Sequence, residues 1–298
     1  MNWTFFFWNL PVKKIIYVQI CFLCMKRMPY TVNAGRTSVR GVPTDRYGNA
    51  TGSEWDLAQD GGFLGHTIVV LHLCTSEGFD FQKPTDALRK KGFRIVRYAN
   101  TPPSEQALSD ELANASQLWV ISDRNRKLGA GHIKLISEFF ESGRGLYIWG
   151  DNSPYHADAN TLLKQIFSSN MEGNYMGDQV VNEATSSSSP GFLQHLVTTG
   201  LNHLYEGITI SNIELNNGLK PLVRSSDKNC VTAFYDKDGK RALIDGGFTR
   251  LFTQWDDAGT ARFVTNAAAW LVNWERFSPP PPKDDQNDRQ TLRDLLKK

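Results

Sequence analysis

The sequence predicts a doubly wound α/β fold, a mostly parallel sheet flanked by helices. Three observations predict it. Four apolar runs, Thr67–Cys74, Phe93–Tyr98, Gln117–Ile121 and Gly145–Trp149, recur through the middle of the chain. They are of strand length, and the first is apolar almost throughout, as a strand covered on both faces is. Helix-like segments separate the runs and supply the crossovers that parallel strands need. Finally, Ala258–Trp274 carries Ala261, Val264, Ala267, Ala268, Leu271 and Trp274 in a helical rhythm, a buried closing helix.

Each connecting element has its own signal. Pro84–Lys91 reads as a short helix closed by Gly92, with Phe93–Tyr98 the next strand. Ser104 can cap a helix through Leu108 and Leu112. Ile133, Ile136, Phe139 and Phe140 share one face of a third helix, with Gly143 beyond its end. After a helix from about Ala157 to Phe167 the pattern changes to Ser, Thr, Asn and Gly with short strands. These are Ile208–Leu215, Leu222–Arg224, Val231–Tyr235 and Arg241–Asp245, expected to complete the sheet as hairpin-linked members.

The chain has 298 residues, 40% of them hydrophobic and 21% charged, which excludes a disordered, collagenous or small disulfide-stapled protein. Thirty-three Lys and Arg against 31 Asp and Glu give a net charge of +2, so no long-range attraction to nucleic acid is implied. Four segments follow: an apolar leader at 1–27, an extended arm at 28–64, the α/β body at 65–277, and a Pro-rich linker with a charged tail at 278–298. The leader is interrupted by Pro11, Lys13, Lys14 and Gln19 and is short for a membrane span, and Lys26 and Arg27 stand where a signal cleavage site belongs. A cytoplasmic chain is expected, with secretion or membrane attachment through residues 1–27 as the alternative. Cys21 and Cys24 have C-x-x-C spacing but no second ligand pair, and Cys74 and Cys230 read as buried apolar residues.

In open α/β sheets ligands bind beyond the carboxyl ends of the strands. That rule selects Asp123, Asp151 and Asp245, with Glu77 beside them. The segment Gly150-Asp151-Asn152-Ser153-Pro154-Tyr155-His156 follows the fourth strand, and Gly246 and Gly247 follow a late one. Two chemistries fit. Asp151 can cap a helix start, or it can act as a nucleophile or, with His156, as part of a general-base or hard-metal cluster formed by Asp123, Asp151 and Asp245 around a divalent cation. Ser153 is a weaker nucleophile candidate, lacking an evident base. Asn152, Tyr155, Trp255 and the two glycines complete a candidate ligand-binding set. Neither G-x-G-x-x-G nor G-x-x-x-x-G-K-[ST] is present, so nucleotide binding has no motif.

The segments L146-Y-I-W-G-D-N-S-P-Y and A242-L-I-D-G-G-F-T, followed by the Ala-rich helix, resemble the nucleophile turn and late strand of the class I glutamine amidotransferase-like superfamily. The resemblance covers roughly Gly65 to Trp274 and implies a flavodoxin-like sheet. The superfamily's amidotransferases carry Cys in a G-x-C-x-G turn and a later His followed two residues on by Glu. Here Asp151 and Ser153 occupy that turn and no His follows His203, so glutamine hydrolysis by that triad is not expected. Divergent branches that lack the triad, trehalose-utilisation-like proteins and the amino-terminal domain of an intraflagellar-transport subunit, are more similar. The expectation is a pseudoenzyme-like domain that binds a protein partner or a polar small molecule at the Asp151 face. The alternative is a metal-assisted hydrolase.

Overall fold

The computed structural model describes residues 30–33, 36–39, 41–74 and 79–277. The first two strands, β1 (Tyr30–Asn33) and β2 (Arg36–Val39), form a separate antiparallel pair. The α/β alternation then runs β3 (Thr67–His72), α1 (Gln82–Lys90), β4 (Arg94–Ala99), α2 (Glu105–Ala113), β5 (Gln117–Ile121), α3 (Ala130–Glu141), β6 (Gly145–Trp149) and α4 (Ala157–Phe167). Short strands follow: β7 (Met171–Met176), β8 (Val180–Asn182), β9 (Gly191–Phe192), β10 (His203–Tyr205), β11 (Thr209–Ile213), β12 (Lys220–Arg224), β13 (Cys230–Lys237) and β14 (Lys240–Asp245). The chain closes with α5 (Thr260–Leu271) and the short α6 (Trp274–Phe277).

Eight strands form the central sheet in the order β4-β3-β5-β6-β14-β13-β12-β9. From β4 to β14 all neighbours are parallel; from β14 to β9 they are antiparallel. The expected doubly wound, mostly parallel sheet is thus present. The chain leaves β3 for one side and returns to β5 on the other, which places the reversal of strand order between those two strands.

The absence of polar alternation in the central strands has a direct cause. Ile68 and Val70 of β3 enter one core with Leu88 of α1 and Phe263, Val264 and Ala267 of α5. Val69 and Leu71 enter a second core with Leu108, Leu112, Ile133, Ile136 and Leu162 from α2, α3 and α4. Each such side chain contributes about 1.5–3 kcal/mol by leaving water. Cys74 and Cys230 are buried, as expected.

Two expectations are corrected. Strand β11 does not extend the main sheet: it pairs with β7 in a two-stranded ribbon, while β12, β13 and β14 are the hairpin-linked members. Residues 41–64, expected as an extended arm outside the body, are fastened to it. The Asp56 carboxylate lies 2.9 Å from both Lys91 Nζ and Arg262 Nε. The Leu57 N–H donates to Asn266 Oδ1 at 2.6 Å, and Phe63 stacks on Phe93 with centroids 4.6 Å apart. No periodicity marks this segment because single side chains, not a repeating face, hold it. Among the described residues no helix is long and apolar enough to cross a membrane; the leader and the tail lie outside them.

Candidate functional site

The exit of β6 is built on backbone bonds to β14. Gly150 N–H donates to the Asp245 carbonyl at 2.8 Å, and Phe248 N–H donates back to Gly150 at 3.1 Å. A Cβ at Gly150 would stand 2.6 Å from Met171 Sδ and 3.1 Å from His156 Cβ, so a larger residue here would have to displace the Met171 side chain. The turn that follows carries Asp151, Asn152, Ser153, Tyr155 and His156.

Their polar groups bond partly within the turn and partly to neighbouring segments. Asp151 is buried, and its carboxylate accepts the Asn152 N–H at 2.8 Å. His156 Nδ1 donates to the Asp151 carbonyl at 3.0 Å, which directs the imidazole at main chain rather than at a nucleophile. Ser153 N–H donates to Gly173 at 2.8 Å. Asn152 donates to Asn174 Oδ1 at 2.8 Å and accepts from Thr209 Oγ1 at 3.0 Å, tying the turn to the β7–β11 ribbon. Tyr155 accepts from Arg124 at 2.8 Å, and the same guanidinium lies over its ring at 5.1 Å.

The start of α4 is served by residues that sequence reasoning missed. Asp151 does not cap it; the Ser122 hydroxyl, from the end of β5, accepts the N–H groups of Asp158 and Ala159 at 3.0 and 3.2 Å. The Asp158 carboxylate, fully buried, accepts the N–H groups of Lys127 and Leu128 at 3.0 and 2.9 Å. Burial pushes its pKa up, opposed by these backbone bonds and by the charges of Arg126 and Lys127. Two signals were available. Ser122 ends an apolar run, and Asp158 sits in a first helical turn, where an acid is favoured.

Asp123 and Asp245 have separate partners. The Asp123 carboxylate accepts the Arg124 N–H at 2.7 Å and lies 2.9 Å from Lys127 Nζ. Lys127 also donates to the Leu73 carbonyl at 2.8 Å and to Asn100 Oδ1 at 3.2 Å, so one ammonium joins the ends of β3, β4 and β5 where the strand order reverses. Asp245 is fully buried, accepting from Thr232 Oγ1 at 2.9 Å and Gly247 N–H at 3.0 Å, with Arg250 Nη1 at 3.5 Å. Burial holds its pKa above the ordinary carboxylate value, against the pull of Arg250. Arg250 in turn donates to the Glu206 carbonyl at 3.0 Å and lies 5.4 Å over the Phe263 ring.

The shared cation site expected from Asp123, Asp151 and Asp245 is therefore not formed. Among the described residues no three His, Cys, Asp or Glu side chains converge to hold a metal ion. The physical reason is that each carboxylate is spent on its own strand end, two of them facing a cationic side chain. Gly246 and Gly247 likewise serve packing rather than a ligand: a Cβ would stand 2.5 Å from Ser211 Oγ at the first and 2.6 Å from the Glu206 carbonyl at the second. Trp255 is buried and lines a separate cleft of about 380 Å³ with Lys91, Asp56, Arg262 and Thr260, away from Asp151. Glu77 lies outside the described residues.

Beside exposed polar residues such as Asn100, Arg124 and Ser153, this face also exposes apolar side chains. Met176 is 69% exposed and Ile208 and Phe252 are each 37% exposed. They are joined through short links: Thr209, next to Ile208, pairs with Met176; Ile208 N–H donates to Thr249 Oγ1 at 2.9 Å; and Phe252 N–H donates to the Thr249 carbonyl at 3.2 Å. Phe252 also packs on Phe79 at 4.5 Å.

No protein-family model matches the chain, and no curated protein matches it. Among solved structures, a ThuA-like protein from Bacteroides uniformis is similar, at 12% identity over 70% of this chain and 91% of that one, with a TM-score of 0.47. A ThuA-like protein from Parabacteroides merdae is similar at 11% identity, 74% and 94% coverage and a TM-score of 0.43. The glutaminase domain of Trypanosoma brucei CTP synthase is similar at 11% identity, 68% and 94% coverage and a TM-score of 0.37. The assignment of the fold rests on strand order and connection in the chain itself.

Proposed function

We propose that this chain is a partner-binding α/β domain, and that its docking surface is the apolar rim formed by Met176, Ile208 and Phe252 at the strand C-terminal face. The occupant is a protein partner that presents an apolar side chain or short apolar segment. The exposure of these three side chains, on neighbouring segments, supports the reading most. A contiguous exposed apolar patch is a mark of an interaction site. The hydrolase alternative needs a nucleophile or water held by free carboxylates, whereas the carboxylates of Asp123, Asp151 and Asp245 face backbone N–H groups, Lys127, Thr232 and Arg250.

Site-specific photo-cross-linking tests this. A photoreactive residue at position 176 or 252 is expected to give one discrete adduct in extract of the native cells, absent from a control at exposed Lys134 and lost on Ile208→Glu. Equal labelling from all three positions would overturn the reading. So would turnover of an amide or glycoside by the purified chain that Asp151→Asn abolishes.

A further inference from the structure

The loop Thr185-Ser186-Ser187-Ser188-Ser189-Pro190 lies beyond β8 at the outer edge of the sheet. Thr185, Ser186, Ser187 and Ser188 are exposed and Ser189 is half-buried. The hydroxyl contacts of Thr185, Ser186, Ser188 and Ser189 stay within the loop: Ser186 Oγ lies 2.8 Å from Ser189 Oγ and 3.1 Å from Ser188 Oγ, and Thr185 Oγ1 lies 3.2 Å from Ser189 Oγ. Such a cluster packs nothing and holds no other element. It is a set of accessible nucleophilic oxygens.

A cationic side chain stands against this loop. Arg224 Nε donates to the Ser187 carbonyl at 2.6 Å, and Arg224 is the cross-strand partner of Gly191, directly after Pro190. Its Nη1 donates to the main-chain carbonyl of Lys228 at 3.0 Å, and Lys228 is itself exposed. The acidic residues nearby are Glu183, whose carboxylate accepts from Gln194 at 2.6 Å, exposed Asp227, and buried Glu206, whose carboxylate accepts the Ser226 N–H at 2.7 Å. A planar guanidinium with a second cation beside it is the donor set that a phosphate monoester uses.

We infer that Ser189 is a phosphorylation site for a proline-directed Ser/Thr kinase, and that Arg224 and Lys228 receive the phosphate. Pro190 has no N–H and biases the residue before it toward extended backbone, the form in which an acceptor segment lies along a kinase groove. Transfer of the γ-phosphoryl group of ATP to Ser189 Oγ forms the new P–O bond, breaks the β–γ bridge, and releases ADP and the hydroxyl proton. The product carries close to two negative charges at neutral pH beside the Arg224 guanidinium, with Lys228 in reach from the turn after β12, which fixes the loop to β12. The Ser189–Ser186 contact must open for transfer, and an exposed edge loop can open without disturbing the cores.

The full chain incubated with a proline-directed kinase and ATP is expected to gain one phosphate, mapped to Ser189 by mass spectrometry and lost in both Ser189→Ala and Pro190→Ala. Phosphorus NMR titration of the product then reads the receiving cations. The second ionisation should lie about one pH unit lower than in Arg224→Gln/Lys228→Gln, with exposed Lys228→Gln alone giving a smaller change should the pair fail to fold. No phosphate on Ser189, transfer only outside the loop, or an ionisation that neither variant moves would overturn the inference.

Discussion

The Asp158 carboxylate, in the first turn of α4, accepts the Leu128 backbone N–H at 2.9 Å from the loop that follows β5. With the Lys127 N–H at 3.0 Å, one buried acid holds the loop carrying Asp123 and Arg124 against the helix that starts behind Asp151. Asp158→Ala strands both donors and should cost about 2–4 kcal/mol, with Asp158→Asn losing less because its amide oxygen still accepts. Urea denaturation of the three proteins checks the order; an Ala variant no weaker than Asn would count against it.

Arg250 and Asp245 are both fully buried, 3.5 Å apart. Removing either leaves a charge without its counter-charge, so Arg250→Met or Asp245→Leu should each cost about 3–5 kcal/mol. The double variant should lose distinctly less than the sum, which a double-mutant cycle measures.

The Asp56 carboxylate meets two nearly buried cations, Lys91 and Arg262. Asp56→Ala should therefore release residues 41–57 from the body while leaving the sheet intact. Hydrogen exchange is expected to speed up at the Asp45, Asn49 and Leu57 amides, which bond to Asn49, Asp45 and Asn266, and to stay unchanged in β3 and β5. Uniform acceleration would show that the segment is part of one cooperative unit.

Two buried histidines set a pH dependence. Burial lowers the His72 pKa to about 4, with Arg97 adding to the effect, and burial lowers that of His195 to about 4, with Arg241 adding. Between about 4 and 6.5 the unfolded chain holds more protons at these sites, so their contribution is complete above about 6.5 and falls as the pH drops through that window. The loss is at most roughly 3 kcal/mol each. Asp158, Glu206 and Asp245, whose pKa values burial raises, act in the opposite sense, their contribution shrinking as the pH rises above the unfolded carboxylate value. Stability measured in urea from pH 7 to 4.5 should fall less steeply in His195→Phe than in the parent chain.

The central strands were legible because burial on both faces leaves an unbroken apolar run: Gln117–Ile121 and Gly145–Trp149 are found at their expected bounds. Strand β7 was not, since M171-E-G-N-Y-M has neither alternation nor a continuous apolar run. At the candidate site, the sequence placed Asp151 to His156 in one turn but could not tell which way their polar atoms face. Ser122 and Asp158 show why. Local signals mark the two positions, but their partners lie 36 and 30 residues away in the chain, which no local pattern encodes.

The central claim is that the strand-end polar residues hold the fold while the apolar rim makes the contact. The yield of the position-176 cross-link, compared between Asp151→Asn and Ile208→Glu backgrounds of equal folded content, tests it most directly. An unchanged yield in Asp151→Asn and loss of the adduct in Ile208→Glu are expected; loss in Asp151→Asn with full yield in Ile208→Glu would rule out the proposed docking surface.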